Sequence, residues 1–163
     1  MVDVQTVSIA IASAGVFAAA IYYIFQIRHQ TRLRQTNLVI RLYSTFASED
    51  HRTAGKKVIW INYKDYDDFV KKYGSLSTEK QESMAIHTVC NFFEGIGLIL
   101  KRNLVSTEII WDYWSESAIF MWEKLKPLVE GFRKQANMPR AWEPFEYLYD
   151  EMKKREQQLA RTK

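Results

Sequence analysis

The sequence predicts an all-α protein, with a single N-terminal transmembrane helix followed by a compact cytoplasmic bundle of about five to seven helices. Three observations lead to this fold class. Residues 7–25 contain no charged residue, Asn, Gln or Pro, so they form one long apolar stretch. In the rest of the chain, apolar residues recur at helical spacing. The 163 residues include only 6 Gly and 3 Pro, which disfavours a sandwich or barrel with many tight turns.

The apolar stretch at residues 7–25 is predicted to anchor the chain in a membrane. At about 1.5 Å per helical residue, its length comes close to the ~30 Å thickness of a bilayer's hydrocarbon core. The alternative is a cleaved signal peptide, which would begin with a basic segment. The chain begins instead with MVDVQT, which contains an acid and no Lys or Arg. We therefore assign residues 1–27 to a retained N-terminal transmembrane anchor.

Basic residues flank this predicted span on one side only. Arg28, Arg32 and Arg34 follow it in a juxtamembrane helical extension at residues 28–37. Because positive charge next to a span stays on the cytoplasmic side, we expect the N-terminus outside the cell membrane and the following domain in the cytoplasm. The three guanidinium groups are predicted to contact anionic lipid headgroups.

The net charge of +4 does not predict a nucleic-acid partner, because the positive charge is confined to two segments. Residues 28–41 sum to +4, and the basic C-terminal tail at residues 153–163 also sums to +4. The body at residues 42–152 has fourteen Lys or Arg and seventeen Asp or Glu, a net charge of −3. The folded part of the chain is therefore mildly acidic, and we expect it to bind no nucleic acid.

The cytoplasmic domain, residues 38–152, is predicted to consist of helices with recognisable start and stop signals. The first helix continues from the anchor to about residue 47, and Ser48 caps the next one. A short helix over residues 65–73 ends at Gly74. Thr78 and Gln81 have the spacing of a capping box, which predicts a long helix from there to about residue 102.

The second half of this domain is predicted to be helical as well. Ser106 is predicted to cap the start of a new helix, which contains a segment rich in Trp and acidic residues. Pro127 lacks a backbone donor and predicts a kink or a new start. Residues 137–139 predict a turn, and a last helix is expected to begin near Ala141. Beyond Lys153 the sequence is polar and is expected to fray.

The long central helix is predicted to present one polar face. At 100° per residue, His87, Asn91 and Glu94 lie opposite its apolar arc. We interpret this face as one that contacts water or a partner. The alternative is a metal or acid–base site that uses His87 and Glu94, which would need further ligands from elsewhere in the chain.

Two glycines and the single cysteine lie in the same helix. Gly95 and Gly97 each cost about 1 kcal/mol of helix stability relative to Ala, so their presence predicts a close crossing with another helix. Cys90 lies in an apolar run and is predicted to be a small core residue. With one cysteine in the sequence, no internal disulfide can form.

The sequence contains none of the common catalytic or cofactor-binding motifs. It has no G-x-S-x-G, no H-E-x-x-H, no Walker or dinucleotide loop, and no pair of C-x-x-C motifs. The carboxylates are numerous, but no two of them are singled out for general acid and base catalysis. We therefore expect a protein that is not an enzyme and that has no cofactor or metal.

Two segments, residues 91–133 and 141–152, resemble a known family. The features that recur there resemble Asn91-Phe92-Phe93-Glu94, Trp122-Glu123, Trp142 and Phe145-Glu146. Over most of its length the chain is similar to uncharacterised prokaryotic membrane proteins with one N-terminal span and a small helical domain, grouped as a domain of unknown function. The resemblance implies an all-helical cytoplasmic domain and no particular activity or ligand. It draws attention to Glu94, for which we hypothesise an ion pair with Arg133 or another base.

Together these features predict a membrane-tethered, non-catalytic helical interaction or scaffold module. Its expected partners are membrane lipids and either another protein of a membrane complex or a second copy of the chain. The alternative is a membrane-linked sensor or effector that binds a small ligand in an aromatic pocket. Such a pocket would be lined by Trp111, Trp114, Trp122 or Trp142. A third reading is a metal-dependent enzyme that uses His87 and Glu94.

Overall fold

The structure, a computed structural model, describes residues 3–161 as six α-helices without a strand, which confirms the predicted all-α class. The helices are α1 (Val4–Phe46), α2 (Glu49–Trp60), α3 (Tyr66–Tyr73), α4 (Gln81–Lys101), α5 (Thr107–Gln135) and α6 (Glu143–Arg161). Met1, Val2, Thr162 and Lys163 lie outside the described residues, so the outer ends of the predicted anchor and tail are not covered.

The chain divides into two units, with the boundary between Ile40 and Arg41. The first unit is a single stretch of α1, in which every side chain from residue 11 to residue 34 is exposed. The most apolar 18-residue window of this helix has a mean hydropathy of 2.0, and none of it is buried. By length and composition it is a candidate membrane span, although an N-terminal signal sequence has the same properties.

The second unit, from Arg41 onwards, is built around α4. This helix packs against α2, α5 and α6; α5 packs in turn against α3 and α6. The most apolar window of α4 has a mean hydropathy of 1.4, which is also compatible with a span, but 56% of it is buried among its neighbours. The largest fully buried side chains of this core are Trp114, Trp122, Phe69, Phe93 and Phe145.

Local signals in the sequence set several helix ends as predicted. The hydroxyl of Ser48 accepts a hydrogen bond from the backbone N–H of His51 at 3.2 Å and caps α2. Ser106 caps α5 in the same way through the N–H of Ile109. Gly74 ends α3 with a φ of +90°, a conformation that glycine adopts without strain.

Three predictions about helix boundaries are wrong. The capping box of Thr78 and Gln81 does not form, because the Thr78 hydroxyl donates to the Ser75 carbonyl and α4 begins only at Gln81. Of the two outcomes predicted at Pro127, a kink or a new start, the new start is wrong, since α5 continues through this residue to Gln135. The tail does not fray at Lys153, and α6 extends to Arg161.

The two glycines of α4 have different surroundings. A Cβ atom on Gly97 would lie 1.8 Å from the carbonyl oxygen of Pro144, so this glycine permits the close crossing of α4 and α6. A Cβ atom on Gly95 would meet nothing within 4 Å, and the prediction of a close crossing is wrong at that position. Cys90 is a buried free cysteine in the core, as predicted.

Candidate functional site

A cleft of about 530 Å³ lies between α4 and the turn that joins α5 to α6. One wall consists of His87 and Glu94, two of the three polar residues that the sequence placed on one helix face. The other wall consists of Phe132 near the end of α5 and of residues 138–142 in the turn. We refer to this space as the α4 cleft.

Trp142 is the central aromatic residue of the α4 cleft. Its indole Nε1 donates a hydrogen bond of 2.9 Å to the Oδ1 of Asn91, and its side chain is almost entirely buried. Its ring centroid lies 5.2 Å from that of His87 and 5.3 Å from that of Phe132. Its φ of +54° is rare for a bulky residue, so these contacts hold the backbone in an unfavourable conformation.

Arg133 fixes the turn between α5 and α6 through two hydrogen bonds. Its Nε donates to the Ala141 carbonyl at 2.9 Å, and its Nη1 donates to the Oε2 of Glu146 at 2.7 Å. Its guanidinium carbon also lies 6.0 Å from the ring centroid of Trp122, the limit for a cation–π contact. The predicted pairing of Glu94 with Arg133 is therefore wrong, because Arg133 pairs with Glu146 instead.

His87 is fixed in the α4 cleft by a bond to a loop. Its Nε2 lies 2.9 Å from the carbonyl oxygen of Leu76, and because a carbonyl only accepts, Nε2 carries the hydrogen. The ring is thereby held against Trp142. In the neutral tautomer this bond leaves Nδ1 as an acceptor.

Glu94 is the acidic group of the α4 cleft. It is half-buried, and among the described residues it forms no ion pair within 4.0 Å and no side-chain hydrogen bond. Burial raises the pKa of the Glu94 carboxyl above its usual range. It also lines an adjoining groove beside Lys101 and Arg140, but both of those cations pair with Glu143.

A second and larger depression, about 920 Å³, lies between the first half of α5 and the end of α6. Its walls contain four carboxylates and no basic residue: Asp112, Glu116, Glu123 and Glu156. Trp111, Tyr113 and Phe120 supply its aromatic surface. We refer to this depression as the acidic groove.

Within the acidic groove the carboxylates differ in their partners. Glu156 pairs with Lys153 at 2.5 Å, and Glu123 accepts a hydrogen bond from the Tyr149 hydroxyl at 3.4 Å. Asp112 and Glu116 are exposed one turn apart on α5 and form no ion pair with any residue in the described range. These two acids therefore project their charge into solvent.

The alternative prediction was an aromatic pocket lined by Trp111, Trp114, Trp122 or Trp142, and the structure places these four residues in different surroundings. Trp114 and Trp122 are buried in the core, Trp142 lines the α4 cleft, and Trp111 lines the acidic groove. Of the three arginines predicted to contact lipid, Arg28, Arg32 and Arg34, all are exposed on α1. In residues 3–161 no group of three or more His, Cys, Asp or Glu is placed to hold a metal ion.

Sequence reasoning missed two contributors to these sites. Phe132 and the φ of Trp142 shape the α4 cleft, and neither follows from a local pattern. The acids of the acidic groove were open to detection, because Asp112, Glu116 and Glu123 share one helix face at spacings of four and seven.

The fold and these two surfaces define a small all-helical unit preceded by an apolar helix. The family described as a domain of unknown function (DUF4760) matches residues 9–152, and the chain belongs to that family. No curated protein and no solved structure matches the chain. The segments that resemble such a family meet in space: Asn91 binds Trp142, and Phe93 and Trp122 both contact Phe145.

Proposed function

We propose that this protein is a membrane-tethered, non-catalytic helical module whose second unit binds a partner protein through the acidic groove. The tether is supported by α1, whose side chains from residue 11 to residue 34 are all exposed although residues 11–25 are apolar. An uncharged helix of this length is stable in a bilayer and costly to expose to water. The arginines after it favour a cytoplasmic second unit.

The partner that fits the acidic groove is a helix rich in Lys and Arg from another membrane-associated protein. The four carboxylates of the groove attract a basic segment, and no lining residue opposes it. Two aromatic residues of the groove are accessible to such a helix: Phe120 is 50% exposed, and Trp111 is partly exposed. Their rings can contact the methylene groups of Lys and Arg side chains and the guanidinium groups of Arg. Aromatic anchors of this kind commonly dominate the binding energy of an interface.

The tether is tested on the full chain expressed with tags at both ends. We expect the protein to stay in the membrane fraction after alkaline carbonate extraction, with both tags retained and the C-terminal tag on the cytoplasmic side. Release by carbonate, or loss of the N-terminal tag, would contradict the membrane tether and favour a signal sequence.

The groove is tested by photo-crosslinking in intact cells. A photoreactive phenylalanine replaces Phe120 in the acidic groove, and a control protein carries it at Trp60, which is 83% exposed on α2. We expect crosslinks from position 120 to a basic segment of another protein, and none to that segment from position 60. The double substitution D112K/E116K should abolish them, whereas E79K/E130K, which reverses two exposed acids outside the groove, should not.

Two results would overturn the proposed partner. A crosslink from position 120 to a second copy of this chain would assign the groove to self-association. A crosslink to an uncharged or acidic segment, or one that survives D112K/E116K, would show that charge complementarity does not select the occupant.

A second candidate function is a membrane-linked sensor, favoured by one observation in the α4 cleft. Glu94 is a half-buried carboxyl group without a protein partner among residues 3–161, beside a buried tryptophan. A partnerless acid in an apolar recess is the kind of group that a bound ligand would satisfy.

A further inference from the structure

We propose that the α4 cleft binds a small organic cation, an ammonium group on an apolar body, with Glu94 as its charge partner. This inference rests on the second candidate function and names the chemical class of its ligand. It does not depend on the acidic groove.

The charge preference follows from the groups around Glu94. Arg133 pairs with Glu146 at 2.7 Å and forms no ion pair with Glu94. Arg140 at the rim pairs with Glu143 at 2.7 Å, and Lys101 approaches the same carboxylate at 3.4 Å. Arg102, which lines the adjoining groove, forms no ion pair within 4.0 Å with any carboxylate in the described range, Glu94 included. Glu94 therefore has no ion-pair partner within that distance and retains an uncompensated charge when it ionises. A carboxylate removed from water is stabilised most by a charged donor in direct contact.

The walls of the cleft suit an apolar body and a cationic head. Phe132 and His87 flank Trp142, each with its ring centroid within 5.3 Å of the indole. Glu94, in the same lining, supplies the negative charge for the cationic head. Met138 and Pro139 complete the rim with apolar surface, and Met adapts its shape to different ligands.

The site is also fixed before any ligand arrives. The Asn91 amide holds the indole of Trp142, the Leu76 carbonyl holds His87, and Arg133 holds the Ala141 carbonyl of the turn. A site that is already ordered loses little conformational entropy on binding. The volume of about 530 Å³ accommodates a molecule of one ring and a short amine chain.

The test compares three probes of similar shape on the full chain in detergent micelles: 2-phenylethylamine, 2-phenylethanol and 3-phenylpropionate. The indole N–H signal of Trp142 in a ¹⁵N spectrum, assigned by its absence in Trp142→Phe, reports binding. We expect the amine to bind about tenfold more tightly than the alcohol and the carboxylate to bind most weakly.

Variants separate the charge of Glu94 from the rest of the cleft. Glu94→Gln should reduce amine binding about tenfold and leave alcohol binding unchanged. Glu79→Gln, at an exposed acid outside the cleft, should change neither. Because each probe is compared between proteins in the same micelles, its partitioning into detergent cancels in the comparison of variants.

The outcomes distinguish the two levels of the proposal. If all three probes shift the Trp142 signal with equal affinity, the cleft is a ligand site but the cation class is overturned. The proposed preference for a cationic ligand is also contradicted if Glu94→Gln binds the amine as tightly as the parent protein does. If no probe shifts the indole N–H signal of Trp142, both the sensor function and its proposed ligand class are contradicted.

Discussion

The indole Nε1 of Trp142 donates a hydrogen bond of 2.9 Å to the Oδ1 of Asn91, and this bond ties the α5–α6 turn to the middle of α4. The two residues are 51 positions apart in the chain. Trp142 has a φ of +54°, a conformation that costs on the order of 1 kcal/mol or more for a residue with a side chain. The bond and the burial of the indole offset this cost, and together they fix one wall of the α4 cleft.

Removal of the Asn91 amide should therefore destabilise the second unit. In Asn91→Ala the buried indole N–H loses its acceptor, which should lower the free energy of unfolding by about 1–2 kcal/mol. Urea unfolding of the full chain in detergent, followed by Trp fluorescence, measures this, because all five Trp residues lie in the second unit. In a double-mutant cycle with Trp142→Phe, we expect a coupling energy near ~1 kcal/mol.

The control for that cycle is Asn91→Ala combined with Trp111→Phe. Trp111 lines the acidic groove, whereas the side chain of Asn91 is hydrogen-bonded to Trp142, so the effects of the two substitutions on stability should add. Additive effects of Asn91→Ala and Trp142→Phe would mean that the hydrogen bond does not stabilise the turn.

The two glycines of α4 should respond in opposite directions to substitution by Ala. Gly97→Ala places a methyl group against the Pro144 carbonyl and should lower the free energy of unfolding by at least ~2 kcal/mol. Gly95→Ala should raise it by up to ~1 kcal/mol, because the methyl group meets no atom and the helix gains propensity. Chemical denaturation of both variants measures the difference. Equal effects at the two positions would contradict the close crossing of α4 and α6 at Gly97.

Helix ends were predictable where a single side chain determines them. Ser48, Ser106 and Gly74 act through their own hydroxyl groups or backbone freedom, so the local sequence was sufficient. The continuation of α5 through Pro127 was not predictable in this way, because it depends on tertiary packing: Leu125, Leu128 and Val129 around the proline are fully buried. Their packing outweighs the lost backbone hydrogen bond and holds α5 in one piece.

Only one side of each candidate site could be predicted from the sequence. The periodicity of α4 placed His87, Asn91 and Glu94 on one face, since residues four and three apart are neighbours on a helix. Their partners come from a turn that is remote in sequence, and the conformation of Trp142 in that turn depends on tertiary contacts. The acidic groove likewise requires α6 to return along α5, which no single helix pattern reveals.

His51 should make the stability of the second unit depend on pH. Its ring is buried, with centroids 5.2 Å from Phe46 and 4.5 Å from Phe92, and this burial lowers its pKa from 6.5. Between the lowered folded pKa and 6.5, the unfolded chain binds the proton and the folded chain does not. The free energy of unfolding should therefore fall as the pH falls below 6.5, and level off once His51 titrates in the folded state.

The measurement is urea unfolding of the full chain over a series of pH values on both sides of 6.5. His51→Phe, which keeps an aromatic ring but does not titrate, should show a shallower loss of stability at low pH. His29→Gln, at an exposed position of α1, should retain the slope of the parent chain. Parallel profiles for His51→Phe and the parent would contradict the role of this histidine.

Glu94 should have the opposite effect on the pH profile. Burial raises its folded pKa above 4.5, so between these two values the folded chain holds the proton and the unfolded chain does not. Ionisation of Glu94 therefore destabilises the fold as the pH rises through that interval, and the penalty persists at neutral pH. Glu94→Gln should be more stable than the parent at pH 7, and the difference should vanish below pH 4.5.

Glu79→Gln, at an exposed acid outside the cleft, should show no such gain. If Glu94→Gln proved less stable than the parent at neutral pH, the carboxylate would have to be ion-paired in the free protein, with Lys101, Arg102 or Arg140 of the adjoining groove as its partner.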